Sequence, residues 1–253
     1  MRAINCRTTW DYSSLAQFYE LRAPYHPDLI AGAARSLGIP AAARIADIGA
    51  GTGRLAAAWA ALGFRVDAVE PCREMRQLGR QLESRARWHA TTGERTGLAA
   101  GVYHAVSFGS SLNVVDASAA LAEAARVLRK DGALVVVYNH RRLEDPMQRD
   151  IEQTIRQHVP EFSYGERRRN PSETIESGGV FRVVETLELA FSHETTASDF
   201  AAGFRAHATL QRQAGPSFPV LLDALAARAA AHADASGRVQ VPFVSRAWLA
   251  SRC

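Results

Sequence analysis

The chain has 253 residues, of which 47% are apolar and 22% charged, a balance suited to a soluble globular protein and too apolar for disorder. At that length it can bury roughly 70–75% of its unfolded surface, so neither a disulfide framework nor a metal is needed to hold a core. The charge is close to balanced, net +4, with Lys130 the single lysine and arginine supplying 29 of the 30 basic residues. This argues against a nucleic-acid footprint. No stretch reaches the ~20 consecutive apolar residues of a membrane span. The opening MRAINCRTTWDYSS lacks the apolar centre of a secretory signal, so a cytoplasmic location is expected. Cys6, Cys72 and Cys253 lie far apart and form no CxxC pair, and Cys72 reads as a small buried hydrophobe.

In chain order, Leu15, Phe18, Tyr19 and Leu21 predict a helix that breaks at Ala23-Pro24. A second helix runs over Leu29–Leu37 and stops at Gly38. Short apolar runs then alternate with alanine-rich helical ones. The predicted strands are Arg44–Ile48, Phe64–Glu70, a weaker one at Arg85–Ala90, Tyr103–Phe108 and Ala133–Tyr138. The helices between them are Arg54–Leu62, Arg73–Leu82 and Ala117–Leu128. This alternation predicts parallel βαβ units and a doubly wound α/β sheet. Beyond Asn139 helices are expected at Asp150–His158, Thr196–Gln213 and Val220–Ala233, and strands at Val180–Leu189 and Arg238–Val244. The two late strands suit an antiparallel edge on the parallel sheet. The chain reads as one domain, 1–253, in which residues 1–40 and part of 141–253 cover a 41–140 core. The run Arg167-Arg168-Arg169 reads as a solvated loop, an anionic partner being the alternative.

The segment Asp47-Ile48-Gly49-Ala50-Gly51-Thr52-Gly53 joins the first strand of the core to its helix. Glycines there let the backbone turn sharply and approach a ligand, and the helix start offers free N–H groups. Glu70 ends the next strand, 21 residues after Gly49, where a carboxylate can accept both hydroxyls of a ribose. The spacing is GxGxG rather than GxGxxG, which favours a nucleoside ligand without a pyrophosphate.

The stretches IADIGAGTGRLA, VDAVEPCREM and ALAEAARVLRKDGALVVVYN resemble motifs of the class I S-adenosylmethionine-dependent methyltransferases. The amino-terminal YELRAPYHPDLI is similar to a segment of the ubiquinone-biosynthesis and trans-aconitate methyltransferase-like group, with Ala23 intruding between Arg22 and Pro24. The resemblance implies a Rossmann-like, seven-stranded, mostly parallel sheet with an antiparallel last strand and a helical cover over the active site. It implies that Gly49, Ala50, Gly51 and Gly53 cradle the methionine half of the cofactor, that Glu70 holds the ribose, and that Pro71 and Met75 flank the adenine. It sets Gly93 and Glu94 at the adenine edge and Phe108, Gly109 and Ser110 at the sulfonium. Asp47 either attracts the cationic amine of the methionine half or caps the turn's own amides. The family's aromatic pair after the fourth strand is replaced here by Ser110-Ser111-Leu112-Asn113, leaving the acceptor open.

A sulfonium methyl is already electrophilic, so alignment dominates and a general base is optional. His140 and His207 are the candidate bases, with Asn113 at the floor near the methyl and Tyr19, Arg22 and Tyr25 closing the site. Arg22 either caps the cofactor's carboxylate or grips an acceptor that is polar or anionic. No histidine set has zinc spacing, so no metal is expected. The reading is transfer of a methyl to an O, N or C nucleophile of a small molecule, in specialised metabolism, by a monomer or homodimer with no nucleic-acid or membrane partner. The alternatives are a nucleic-acid methyltransferase and a protein that uses the cofactor without methyl transfer.

Overall fold

The computed structural model describes residues 12–253, apart from the side chain of Arg167; Cys6 lies outside the described residues. A 3-10 helix, Ser13–Leu21, precedes α1 (Pro27–Ser36). The core then follows as β1 (Arg44–Ile48), α2 (Arg54–Ala61), β2 (Arg65–Val69), α3 (Arg73–Leu82), β3 (Arg87–His89), β4 (Tyr103–Gly109), α4 (Ala117–Val127) and β5 (Leu128–Arg141). After it come α5 (Pro146–His158), the short α6 (Ser172–Glu176), β6 (Phe181–Thr196), α7 (Ala197–Ala202), α8 (Ala208–Ala214), α9 (Phe218–Ala230) and β7 (Arg238–Arg252).

The strands form one sheet in the order β3-β2-β1-β4-β5-β7-β6. β1 to β5 pair in parallel, and β7 runs antiparallel to both β5 and β6. The strand order reverses between β1 and β4, which leaves a crevice outside the strands' carboxyl ends, where ligands of open α/β sheets bind. One sheet face buries Ile48, Val106, Phe108, Leu134 and Val136 against Ala120, Leu121 and Ala124 of α4. The other packs Ile45, Ala68, Ala105 and Val135 against Leu29 and Ile30 of α1 and Leu55 and Trp59 of α2. A third apolar cluster joins α5, α7, α8 and α9 to Val239 and Val241 of β7, so the cover has its own core.

The structure departs from the sequence reading mainly in this last third. β6 continues past Leu189 to Thr196, and β7 continues past Val244 to Arg252, in register from Phe181↔Arg252 to Thr196↔Arg238. β6 is an edge strand whose residues are exposed or half-buried after Phe181, so no apolar run marks its length. The helix expected over 196–213 is broken into α7, a 3-10 turn at Gly203–Ala206, and α8. His207 caps α8 in a non-helical conformation, its side chain accepting from the Leu210 N–H. That cap starts a new helix in place of a continuous one.

Candidate active site

The loop between β1 and α2 is shaped by three left-handed glycines, Gly49 (φ 67°), Gly51 (φ 59°) and Gly53 (φ 84°). Their surroundings differ. A Cβ on Gly49 would lie 2.5 Å from Ser111 Cβ, so Gly49 is needed for loop-to-loop packing. A Cβ on Gly51 would meet only Tyr19, at 4.0 Å, because that side of the loop opens into a cavity. Gly53 caps α2 beside Trp88 and does not line the cavity. The Gly51 N–H donates to Glu70 Oε2 (2.9 Å) and the Cys72 N–H donates to Glu70 Oε1 (2.8 Å), so the acid at the end of β2 is tied to the loop. Glu70 is 7% exposed; burial pushes its carboxyl above the ordinary range while those two amides oppose the shift.

Asp47 is fully buried at the end of a polar chain. Trp59 Nε1 donates to Ser107 Oγ (3.2 Å), which donates to Asp47 Oδ1 (2.8 Å). The Ala56 amide adds only a weak contact, and Oδ2 has no hydrogen bond of regular geometry. Burial pushes the Asp47 carboxyl up to about 7. An orphaned buried acceptor on a cavity wall is what a cationic ligand group would complete.

The cavity measures about 560 Å3 and lies over the carboxyl ends of the strands. Of the expected cofactor residues, Asp47, Gly49, Ala50, Gly51, Glu70, Pro71, Met75, Gly93, Glu94, Gly109, Ser110 and Arg22 line it. Phe108 does not: its side chain is wholly buried on the sheet face that packs against α4. Ser110 takes φ 55°, uncommon for a residue with a side chain, and its Oγ accepts from Tyr25 Oη (3.1 Å). Strain of this kind gathers at functional sites. Cys72 is half-buried and lines the cavity instead of sitting in the core, its Sγ donating to Glu74 Oε2 (3.4 Å).

Tyr19, Tyr25, His140 and His207 line the same cavity, Tyr19 beside Gly51 and Tyr25 beside Gly109 and Ser110. Asn113 lines instead an adjoining cavity of about 260 Å3, which shares Tyr19, Arg22, Ser110 and Tyr164 with the first. His140 stacks on Tyr138, ring centroids 5.9 Å apart. His207 Nδ1 accepts from Leu210 N (3.1 Å), so the neutral ring carries its hydrogen on Nε2. Sequence reasoning missed Arg54, Arg141, Tyr164, Arg168 and His193, all on the cavity wall. The alternation in the FSHETT segment of β6 was the available signal for His193. Burial, and then the nearby Arg54 charge, hold His193 below the ordinary histidine range and hence neutral at pH 7. Arg54 donates to the backbone carbonyls of Glu20 and Arg22 and lies 3.7 Å from the Glu20 carboxylate, tying the amino-terminal 3-10 helix to the glycine loop.

Residues 46–136 match the family model described as a methyltransferase domain. No curated protein sequence matches the chain. Among solved structures, the chain is similar to a candidate type II methyltransferase from Anaeromyxobacter dehalogenans, with a TM-score of 0.63 and 17% identity over 91% of this chain and 97% of that one. It is also similar to a candidate methyltransferase of an antibiotic biosynthesis pathway from Anabaena variabilis, with a TM-score of 0.61 and 19% identity over 89% and 98%. A third similar structure is the cyclase SpnF, with a TM-score of 0.55 and 15% identity over 94% and 93%. At these identities the likeness is one of fold.

Proposed function

We propose that this chain is a class I S-adenosylmethionine-dependent methyltransferase, residues 46–136 matching a methyltransferase domain, and that it methylates a small-molecule nucleophile held under its helical cover. The observation that carries the proposal is the single cavity, about 560 Å3, that runs from the glycine loop and Glu70 to the histidines and arginines of the cover. Its size is that of a small-molecule site. The amino-terminal YELRAPYHPDLI supports the ubiquinone-biosynthesis and trans-aconitate methyltransferase-like branch. In this reading the whole chain works as one unit, the segments flanking the 41–140 core supplying the acceptor's walls.

The residues fit the cofactor. S-adenosylmethionine supplies an electrophilic methyl on a sulfonium. The Gly51 face of the loop leaves room for the methionine half, Glu70 would take the ribose hydroxyls, and Asp47 Oδ2 would meet the ammonium group. Holding the acceptor in line supplies ~7–11 kcal/mol of the barrier through positioning. The cover keeps competing water away. Where the acceptor must lose a proton, His140 or the neutral His193 is placed to accept it, a contribution of ~10²–10⁴-fold. His207, whose Nδ1 is taken up by the α8 cap, lines the cover side of the cavity.

The test is incubation with methyl-labelled S-adenosylmethionine and a mixed panel of amines, phenols, carboxylic acids, transfer RNA and duplex DNA. Label in a small molecule, with release of S-adenosylhomocysteine, is expected. Label in nucleic acid overturns the proposal, and so does cofactor binding with no transfer to any acceptor. The latter outcome is chemically reasonable because a fold does not fix a reaction.

The glycine loop gives a separate expectation. Gly51→Val should abolish S-adenosylhomocysteine binding, because its side chain would fill the opening that Gly51 leaves. Since any side chain at φ 59° is strained, Gly51→Ala and a thermal melt accompany the titration. Normal affinity in a folded variant would make the loop structural only.

A further inference from the structure

Among the described residues three histidines line the cavity, and hydrogen bonding sets one of them apart. His207 gives its Nδ1 to the Leu210 N–H, and His140 stacks on the Tyr138 ring. His193 is placed by the pleat of β6, whose alternation brings His193 and Thr195 together onto the cavity wall. Its ring lies 6.4 Å from that of Phe243, which stacks on Phe191 at 5.5 Å. These aromatic contacts hold the ring and occupy neither nitrogen. Among the described residues no hydrogen bond reaches Nδ1 or Nε2 of His193.

The surroundings keep this ring neutral. Burial first, and then the Arg54 charge at the start of α2, hold it below the ordinary histidine range. Arg54 itself faces the Glu20 carboxylate at 3.7 Å. From β7, Val241 and Phe243 adjoin His193, and neither carries a charge. His26, which caps α1, packs on Phe191, while Asp28 beside it and Asp199 of α7 are exposed. Glu194, the next residue of β6, is paired with Arg238. A neutral imidazole on a cavity wall, with no hydrogen bond on either nitrogen, can take a proton from a ligand.

We propose that His193 is the general base of the reaction and that the methyl acceptor is a weakly acidic hydroxyl of the phenol class. The inference rests on the methyltransferase reading and names its substrate class and the residue that takes the proton. As the hydroxyl oxygen bonds to the methyl carbon, its proton passes to a His193 nitrogen. The bond from methyl to sulfur breaks, and its electron pair stays on sulfur, giving neutral S-adenosylhomocysteine. The imidazolium then gives its proton to water, which the neighbouring Arg54 charge favours. Other acceptors suit the wall less. A carboxylate reacts without losing a proton and would leave the base unused. An ammonium group would meet Arg141 and Arg168, with no acid among the described lining residues beyond Asn139. A phenol ionises near 10, as tyrosine does, about four pH units from an ordinary histidine, a gap that general-base catalysis can span. An alkyl hydroxyl is a far weaker acid.

The test is methyl transfer from labelled S-adenosylmethionine to phenol, 2-naphthol and 4-nitrophenol, the last being largely ionised without help at about pH 8. His193→Gln should lower the rate on phenol or 2-naphthol, relative to 4-nitrophenol, about a hundredfold. S-adenosylhomocysteine affinity should change less than about twofold. The residue is half-buried on an edge strand, so the variant should fold; a thermal melt and the shorter His193→Asn are the controls. In the wild-type protein the rate on phenol should be level from about pH 7 to pH 9 and fall only at lower pH, as His193 takes up a proton. In His193→Gln it should instead climb with pH, as the phenol ionises unaided. An unchanged ratio in the variant overturns the proposal, as does a wild-type rate that climbs throughout, methylation at carbon, or no transfer to any of the three phenols. If S-adenosylhomocysteine fails to bind, the methyltransferase reading falls as well; if amines or carboxylic acids are labelled and phenols are not, only this inference falls.

Discussion

Glu70→Ala is expected to weaken S-adenosylhomocysteine binding about thirtyfold or more. Two charge-assisted hydrogen bonds to ribose hydroxyls would be lost, together about 2 kcal/mol or more. The fold adds a second cost. Glu70 also receives the Gly51 and Cys72 amides, so its removal frees the glycine loop proposed to cradle the ligand. Glu70→Gln separates the two effects, because its single carbonyl oxygen keeps an acceptor but loses the charge. Calorimetry on both variants makes the comparison, and an unchanged affinity in Glu70→Ala removes this residue from the site.

The second large effect is a pH dependence set by Asp47. Its carboxyl is raised by burial from 3.8 to about 7 in the folded protein. A raised acid holds its proton longer folded than unfolded, so the folded state binds more protons between about pH 4 and pH 7. The stability of the cofactor-free protein should therefore fall as pH rises through that window, by at most about 4 kcal/mol from this group. Binding runs the other way. An ammonium group facing Oδ2 prefers the ionised carboxylate, so S-adenosylhomocysteine affinity should drop about tenfold from pH 8 to pH 6. Asp47→Asn should flatten both profiles. Affinity in the wild-type protein that does not vary over this range would show that Asp47 only caps its own turn.

The parts of the site that were legible in the sequence are those made by neighbours in the chain. Gly49, Gly51 and Glu70 announce themselves because a tight turn, a helix start and a strand end are local events with narrow residue requirements. The five parallel strands were legible for a related reason. Strands buried on both faces must be continuously apolar, and RIADI and ALVVVY come close to that. The same logic misses β6 beyond Leu189, since an edge strand half-open to water has no such demand, and its length is decided by pairing with β7.

Environment, as opposed to residue type, came only with the tertiary structure. Asp47 is an ordinary acid in the sequence; the Trp59–Ser107 chain and complete burial are what leave one of its oxygens orphaned and its carboxyl hard to ionise. His140, His193 and His207 were inseparable by type, and only the structure shows that the His207 ring caps α8 through its Nδ1. Arg168 looked like part of a solvated run until the loop that carries it was seen against Tyr164 on the cavity wall. The sequence by itself determined the α/β core and the glycine turn proposed to receive the cofactor, because each is specified by short runs of contiguous residues. The far wall of the cavity was decided by tertiary structure alone, because residues 54, 141, 168, 193 and 207 meet only once β6, β7 and the cover have packed over the sheet's carboxyl edge.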